Sequence, residues 1–530
     1  MRTPLAAAVL LALAAPPLAA QDSSSRGGFL LVRGNDTIIV ERFSRSPGVV
    51  EGRVLAQKRV PLTYRAVLRP DATVERLEVR VLQPGAPEEA APRQTAVLVI
   101  AGDSATAETR TGDSIRVERI ATRRGALPYH PQIPMLALLE QVVRRGRAMG
   151  GDSARVPVFL MGAGGRTVDA VVEFRGADSA RVRLGTIDAA LRVDREGAIL
   201  GGRSRGEQVI ERVASVADRL LATAPVDYSA PADAPYTAEE VRIRTSAGHT
   251  LAGTLTLPKG ARGRVPAVVT ITGSSPHDRD NNTPYGGPYR IFRQLADTLG
   301  RRGIAVLRMD DRGIGESTGD FASSTTADRA EDIRAGIAWL RGRREIDGGR
   351  VALVGLSEGG LIAPMIAARD TALEGIVLLA GPASTGRQVL EYQLRYAVEQ
   401  SAEVRPERRD SVLRAQLAEA EALRREEPWL RFFWDYDPLA TARRVRGVPA
   451  LVLQGSTDRQ VPPGDAEKLA SAFRAAGNRD VTVRTLEGFN HVFVRDSDGN
   501  PRRYASLPSL AVPPEVLGTV AEWLAARLRP

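Results

Sequence analysis

The sequence predicts two architectures in one chain: a β-rich amino-terminal domain, built as an antiparallel sheet or barrel, and a larger α/β domain with a mostly parallel sheet and a helical cap. Three observations predict this. Between residues 28 and 222 apolar residues recur with period two between frequent turn signals, as in FLLVRGNDTIIVERF, VVEGRVLAQ, TVERLEVRVL and TVDAVVEF, the pattern of short, half-buried strands. Further on, continuous apolar runs such as PAVVTITG, RVALVGLS and LEGIVLLAG alternate with amphipathic stretches such as RIFRQLADTLGRRG and ADRAEDIRAGIAWLRGR. Strands buried on both faces and separated by helices read this way. The alternation stops at Gly381 and resumes at VPALVLQG, residues 448–455, with a charged helical stretch between.

Taken in order, residues 1–20 carry one positive charge at Arg2, an apolar run from Leu5 to Ala15 and small residues before Gln21. This is the pattern of a secretory signal peptide cleaved near Ala20, and it places the mature protein outside the cytoplasm, periplasmic or secreted. The β-rich domain (28–222) holds one expected helix, IPMLALLEQVVRRGRAM, with Leu136, Leu139, Val142 and Val143 on one face. Residues 223–240, TAPVDYSAPADAPYTAEE, are rich in Ala and Pro and read as a linker. The α/β domain follows (241–530), interrupted at about 384–446 by the cap, which ends in Trp429, Phe432, Phe433, Trp434 and Tyr436. An insertion between two strands, above their carboxyl ends, is placed to cover an active site; a solvated helical excursion with a small core of its own would read the same way.

Composition narrows the chemistry. Of 530 residues 43% are hydrophobic and 26% charged, enough apolar surface for two or three buried cores. The absence of cysteine excludes disulfides, cysteine-based zinc sites, iron–sulfur clusters and thiol nucleophiles. The net charge of +10 comes from 73 basic residues scattered among 63 acidic ones. No basic block stands out, and only Lys58, Lys259 and Lys468 are lysines, so the excess reads as a solvated, arginine-preferring surface and no nucleic acid is expected. No later stretch approaches the length of about 18 apolar residues that spans a bilayer, so no integral membrane segment is expected once the signal is removed. The histidines are scattered without ligand spacing, and RMDDRGIGEST lacks the Gly-Lys-Ser/Thr ending of a phosphate loop. No metal or cofactor is expected.

Gly-x-Ser-x-Gly occurs at 202–206, 315–319 and 355–359. A nucleophile elbow needs a buried strand, a tight turn and a helix, and only VALVGLSEGGLIAPMIAA supplies all three, which singles out Ser357. A serine hydroxyl needs a base. Of His130, His249, His277 and His491, only His491 follows the serine, as the order Ser, acid, His requires. The acid is expected between them at a strand end. Asp458, in ALVLQGSTDRQVP, is the first choice and Asp437 the reserve; Asp435 shares the WDYDP segment with it, and Asp465 reads as a helix opener. Oxyanion donors are expected from the backbone N–H of Glu358 and from Ser274 or Ser275 in the loop TGSSPHDRDNN. His277 in that loop either lines the substrate site or bonds to Asp278 or Asp280.

The elbow GLSEGG, the loop TGSSPHDRD, the segment RMDDRGIGEST, the strand end LQGSTDRQVP and the tail GFNHVF together resemble the α/β-hydrolase superfamily. The likeness is to bacterial carboxylesterases and serine aminopeptidase-like hydrolases and covers about residues 236–530, leaving the β-rich half uncovered. It implies an α/β-hydrolase fold, with Ser357 as nucleophile, Asp458 as acid and His491 as base. The chain has Leu356 where such enzymes often carry histidine, and Ser275 where a glycine is common. The expected activity is cleavage of a small carboxylic ester through an acyl-enzyme. Two alternatives stand beside it: a peptidase of the same fold, with Glu358, Asp278 or Asp280 holding a substrate ammonium, and a binding protein whose β-rich half does the work.

Overall fold

The computed structural model describes residues 25–529 except 34–35, 57–59, 84–86, 112–113, 131–132, 162–164, 186, 205–207, 223–225, 283–288, 402–403 and 426. The signal segment and the first residues of the expected linker lie outside the described residues.

The amino-terminal half is one fifteen-stranded sheet, β1 (Ser25–Arg33) to β15 (Gln208–Val213) in chain order. Strands β1 and β15 pair at its centre, with Gly28 opposite Val213. From there the chain meanders outward on both sides, to β8 (Ser114–Ala121) at one edge and β9 (Leu127–Tyr129) at the other. Every pairing is antiparallel except that of β9 with β10 (Ser153–Leu160). Near the β8 edge, Thr122 and Thr167 share a hydroxyl hydrogen bond of 2.7 Å and Arg123 pairs with Asp169 at 2.7 Å.

Helix α1 (Leu136–Ala148) packs into the core of this sheet. One apolar face was expected; instead Ala137, Leu138, Glu140, Gln141 and Gly146 are buried along with Leu136, Leu139, Val142 and Val143, because the strands surround the helix. Its buried polar groups therefore need partners from the sheet. Glu140 pairs with Arg45 (3.1 Å) and Arg212 (2.6 Å), and the α1 amides of Leu136 and Ala137 donate to Glu41 of β2 (Asp36–Ser46). A carboxylate from a distant strand thus caps this helix start, where an unpartnered N–H would be costly.

After the short helix α2 (Asp218–Leu221), the carboxyl-terminal half is built on an eight-stranded sheet. Its strands are β16 (Tyr236–Arg244), β17 (Thr250–Pro258), β18 (Val265–Ile271), β19 (Ala305–Met309), β20 (Ile346–Leu356), β21 (Leu373–Leu379), β22 (Ala450–Gly455) and β23 (Val481–Leu486), in spatial order β16-β17-β19-β18-β20-β21-β22-β23. Strand β17 runs antiparallel to both neighbours and the rest are parallel. This is the α/β-hydrolase fold. Strand β16 begins at Tyr236, inside the segment that composition reads as linker.

Two apolar cores cover the two faces of this sheet. Helices α4 (Thr326–Arg341), α5 (Gly359–Ala367) and α10 (Asp465–Ala475) contribute to one, α3 (Ile291–Gly300) and α11 (Pro514–Arg527) to the other. Between β21 and β22 stand α6 (Gly386–Glu399), α7 (Arg409–Leu423), α8 (Pro428–Asp435) and α9 (Pro438–Ala442), the helical insertion. The chain leaves β18 for β19 on one side and crosses to β20 on the other. That reversal opens a crevice at the carboxyl ends of β18 and β20, where α/β sheets place their sites.

Candidate active site

Ser357 stands between β20 and α5 with φ +55, a left-handed backbone that a side-chain-bearing residue adopts only under constraint. Its amide donates to the Leu379 carbonyl of β21 at 2.8 Å, holding the turn to the sheet. The flanking glycines are sterically required. A Cβ on Gly355 would lie 2.1 Å from the Gly359 carbonyl oxygen, one on Gly359 2.3 Å from that of Ile271, and one on Gly360 2.6 Å from Gly381 Cα. The other two Gly-x-Ser-x-Gly serines have structural settings. Ser204 ends β14 (Ile199–Ser204), and buried Ser317 donates to the Asp310 carbonyl at 2.8 Å and accepts from the Ala252 amide at 2.9 Å.

Asp458 follows β22 and is fully buried. Its Oδ2 accepts from His491 Nδ1 at 2.8 Å and from Gln454 Nε2 at 2.7 Å, while Oδ1 accepts from the amides of Gln460 and Val461 at 2.7 and 2.9 Å. Four donors fix the carboxylate, and because it can only accept here, His491 carries its proton on Nδ1 and turns the Nε2 lone pair outward. The two loops are stitched together: the amides of Ser456 and Thr457 donate to the carbonyls of Leu486 and Phe489, both at 3.0 Å. Gly455 permits the approach, since a Cβ there would sit 2.2 Å from the Phe489 carbonyl oxygen. Asn490 then shapes the histidine turn by accepting from the amides of Val492 and Val494, both at 3.1 Å.

The other aspartates are occupied elsewhere. Asp437 is exposed and caps α9 through the Ala440 amide (3.0 Å), and Asp435 pairs with Arg424 at 3.1 Å. Buried Asp465 opens α10 and receives the amides of Ala383 and Ser384. No hydrogen bond joins Ser357 Oγ to His491 among the described contacts. The structure brings the acid and base together after β22 and β23 and sets the serine at the end of β20, with β21 between β20 and β22.

The loop after β18 reaches the serine from the other side. A Cβ on Gly273 would be 3.6 Å from Ser357 Cβ and 3.6 Å from His277 Nε2, so all three face one small space. Ser274 and Ser275 are exposed, and among the described backbone hydrogen bonds the amides of Ser274, Ser275 and Glu358 donate to nothing. Charged pairs hold this loop from below. Arg279 binds Asp310 (Nη2 at 2.8 Å), Arg308 pairs with Asp280, and Asp311 accepts from Thr272 Oγ1 at 2.5 Å and from the His277 amide at 2.9 Å. Burial pushes the Asp311 carboxyl up to about 7.

His277 does not bond to Asp278 or Asp280. Its Nδ1 lies 3.3 Å from the Asn282 carbonyl, which can only accept, so Nδ1 holds the proton and Nε2 presents a lone pair. Burial pushes this imidazole down to about 4, which leaves it neutral at neutral pH. Asp278 instead accepts from the amides of Asp280 (3.1 Å) and Asn282 (3.0 Å).

Sequence reasoning missed three residues around the Glu358 side chain. Thr326 Oγ1 and Trp429 Nε1 donate to its Oε1 at 2.5 and 2.9 Å, and Arg329 Nη1 donates to Oε2 at 3.0 Å. No motif marks them, although a charged residue directly after a buried elbow signals that a partner exists. Among the described residues no group of three or more His, Asp or Glu side chains is arranged to hold a metal ion, and no helix is long and apolar enough to cross a membrane.

Comparison with known proteins gives the following. Residues 285–498 match the family described as serine aminopeptidase, S33. Esterase EstD of Thermotoga maritima is 29% identical over 286 residues, 52% of this chain and 65% of that protein, so the chain spans just under two thirds of that relative's length. Among solved structures, the Pyrococcus furiosus esterase Pf2001 superposes with TM-score 0.41 at 17% identity, covering 57% of this chain and 96% of that one. Est1E of Butyrivibrio proteoclasticus, solved with ferulic acid, superposes with TM-score 0.37 at 16% identity over 54% of this chain and 98% of that one.

Proposed function

We propose that this chain, whose carboxyl-terminal half belongs to the α/β-hydrolase superfamily, is a serine hydrolase that cleaves carboxylic esters through an acyl-enzyme on Ser357. The observation that carries the reading is the buried Asp458–His491 pair at 2.8 Å, on loops at the same end of the sheet as the strained elbow. His491 Nε2 takes the Ser357 proton as Oγ bonds to the ester carbonyl carbon. The carbonyl oxygen becomes an oxyanion that accepts from the Glu358 amide and from the Ser274 or Ser275 amide. His491 returns the proton to the alcohol oxygen as the C–O bond breaks, and water repeats the cycle on the acyl-serine. The Nε2 lone pair of His277 offers a substrate hydroxyl or N–H an acceptor beside the reacting centre.

The family match raises an aminopeptidase reading, which needs a free carboxylate for the substrate ammonium. The three carboxylates available for it are engaged: Glu358 by Arg329, Asp280 by Arg308 and Asp278 by backbone amides. This favours a neutral ester, expressed as higher kcat/KM for nitrophenyl esters than for aminoacyl nitroanilides. The test of the mechanism is a fluorophosphonate probe, which should label the wild type and not Ser357→Ala. Labelling of neither would favour a binding protein. The amino-terminal pattern supports an extracytoplasmic enzyme, and sequencing the mature terminus, expected near Gln21, tests that.

A further inference from the structure

An oxyanion hole works by holding donors at a fixed separation before charge develops, so whatever joins its two halves matters to the rate. Here the halves come from different elements, the elbow at Glu358 and the loop at Ser274. One side chain touches both. Arg329 Nη1 donates to Glu358 Oε2 at 3.0 Å and to the Ser274 carbonyl at 3.4 Å. Its guanidinium is aimed by further contacts, Nε on Ser324 Oγ at 3.4 Å and stacking at 3.9 Å on the Phe321 ring. The Glu358 side chain is 2% exposed and that of Arg329 8%. The remaining Glu358 oxygen takes Thr326 of α4 and Trp429 of α8, and Trp429 stacks on Phe433 at 4.9 Å within the small apolar cluster that includes Leu361 of α5.

We propose that Arg329 and the Glu358 carboxylate are positioning residues that clamp the two oxyanion-donating segments together, and that Trp429 completes the clamp only when the helical insertion is seated on the elbow. The inference rests on the serine-hydrolase reading above and deepens it. It gives the insertion a defined task, since its α8 helix supplies a donor to the residue whose own amide faces the oxyanion. A buried carboxylate that loses a donor must repack or draw in water, and either shifts the adjoining backbone. Lysine at 329 would offer one compact ammonium in place of the planar fork oriented by Phe321 and Ser324.

The test measures steady-state kinetics and fluorophosphonate labelling rates, normalised to active sites, for Glu358→Gln, Arg329→Met, Arg329→Lys and Trp429→Phe. Glu358→Gln and Arg329→Met should each lower kcat on nitrophenyl acetate by about 10- to 100-fold with KM little changed, the scale of a misplaced catalytic group. Labelling should slow in step, because phosphonylation uses the same hole. The double variant should be little worse than either single one, since both break one clamp. Arg329→Lys should not restore the rate, and Trp429→Phe, which keeps the stack and removes only the indole N–H, should lower kcat by a smaller factor. The pH profile should keep its shape because Asp458 and His491 are untouched.

Wild-type kcat per active site in Glu358→Gln and Arg329→Met would overturn the clamp, and if those two fail to fold, wild-type kcat in Trp429→Phe overturns it instead. In either case an inactive Ser357→Ala leaves the serine reading standing. An active Ser357→Ala overturns that reading itself.

Discussion

Gly355 has no room for a methyl group, because its hydrogen faces the Gly359 carbonyl across a turn that already holds Ser357 at φ +55. Gly355→Ala should destabilise the catalytic half by about 3 kcal/mol, the upper range for overpacking, seen as a lowered melting temperature. Chemistry and stability should separate at the next residues. Ser357→Ala and His491→Ala should each abolish nitrophenyl ester turnover with little change in melting, and the double variant should be little worse than either, as for groups that act as a unit. Asp458→Asn leaves a base present but poorly held, so kcat should fall by about 10⁴-fold, still less than on losing the serine. Asp437→Asn should be silent in the same assay, since that side chain caps α9 and asparagine caps as well. If Asp437→Asn were the more damaging, the acid would belong to the other loop.

At the scale of elements, the start of α1 depends on Glu41, a strand residue that burial pushes from 4.5 up to about 7. Its folded pKa is raised, so between about pH 4.5 and 7 the native state holds a proton that the unfolded chain has released. Stability from this group therefore falls as pH rises through that window and levels off above it. Glu41→Gln removes the titration. The stability difference between wild type and Glu41→Gln, from urea unfolding of the amino-terminal half, should shift against the wild type between pH 5 and pH 8. A difference independent of pH would refute the assignment. In the catalytic half Asp311, raised from 3.8 to about 7, has the same sign. His277, lowered from 6.5 to about 4, has the opposite one: its contribution is present above about 6.5 and is lost as pH falls toward 4.

At the scale of the whole molecule, the two halves meet through few polar contacts among the described residues. Arg116 pairs with Asp320 at 3.1 Å and Arg166 with Glu419 of α7 at 3.3 Å, both between exposed side chains, while Arg93 donates to the Gly315 carbonyl at 3.3 Å. Exposed pairs of this kind contribute about 1 kcal/mol or less each. The catalytic half has both of its own cores, so it should fold and hydrolyse nitrophenyl acetate without the β-rich half. The cut belongs before residue 226. Tyr228 lies 4.1 Å over the Arg279 guanidinium, and the carbonyls of Asp227 and Ser229 receive Arg293, so a chain starting at Pro235 should melt lower than one starting at Val226. Removing the β-rich half should alter preference among larger esters more than turnover of the smallest. A folded truncation without activity on any short ester would show that the first domain completes the site.

The sequence by itself determined what local pattern encodes. The elbow of Ser357 was legible because strand, turn and helix follow one another in a single segment whose glycines mark the close approaches. The parallel sheet was legible because a strand buried on both faces must be apolar throughout. Choosing His491 needed only chain order among four histidines. The identity of its partner was legible only as a preference: Asp458 directly follows an apolar strand and so stands ahead of Asp437, but it is the stitching of the β22 and β23 loops that puts Asp458 on the imidazole while Asp437 caps a helix end. The burial of Glu140 and Gln141 on α1 was hidden for the same reason, since the sequence marks one apolar face and the strands that cover these two side chains come from elsewhere in the chain. Arg329 and Trp429 stand 29 and 71 residues from Glu358. A buried carboxylate demands donors wherever it lies, but which arginine and which indole supply them is decided by chain crossings that bring distant residues together, and those exist only in the folded molecule.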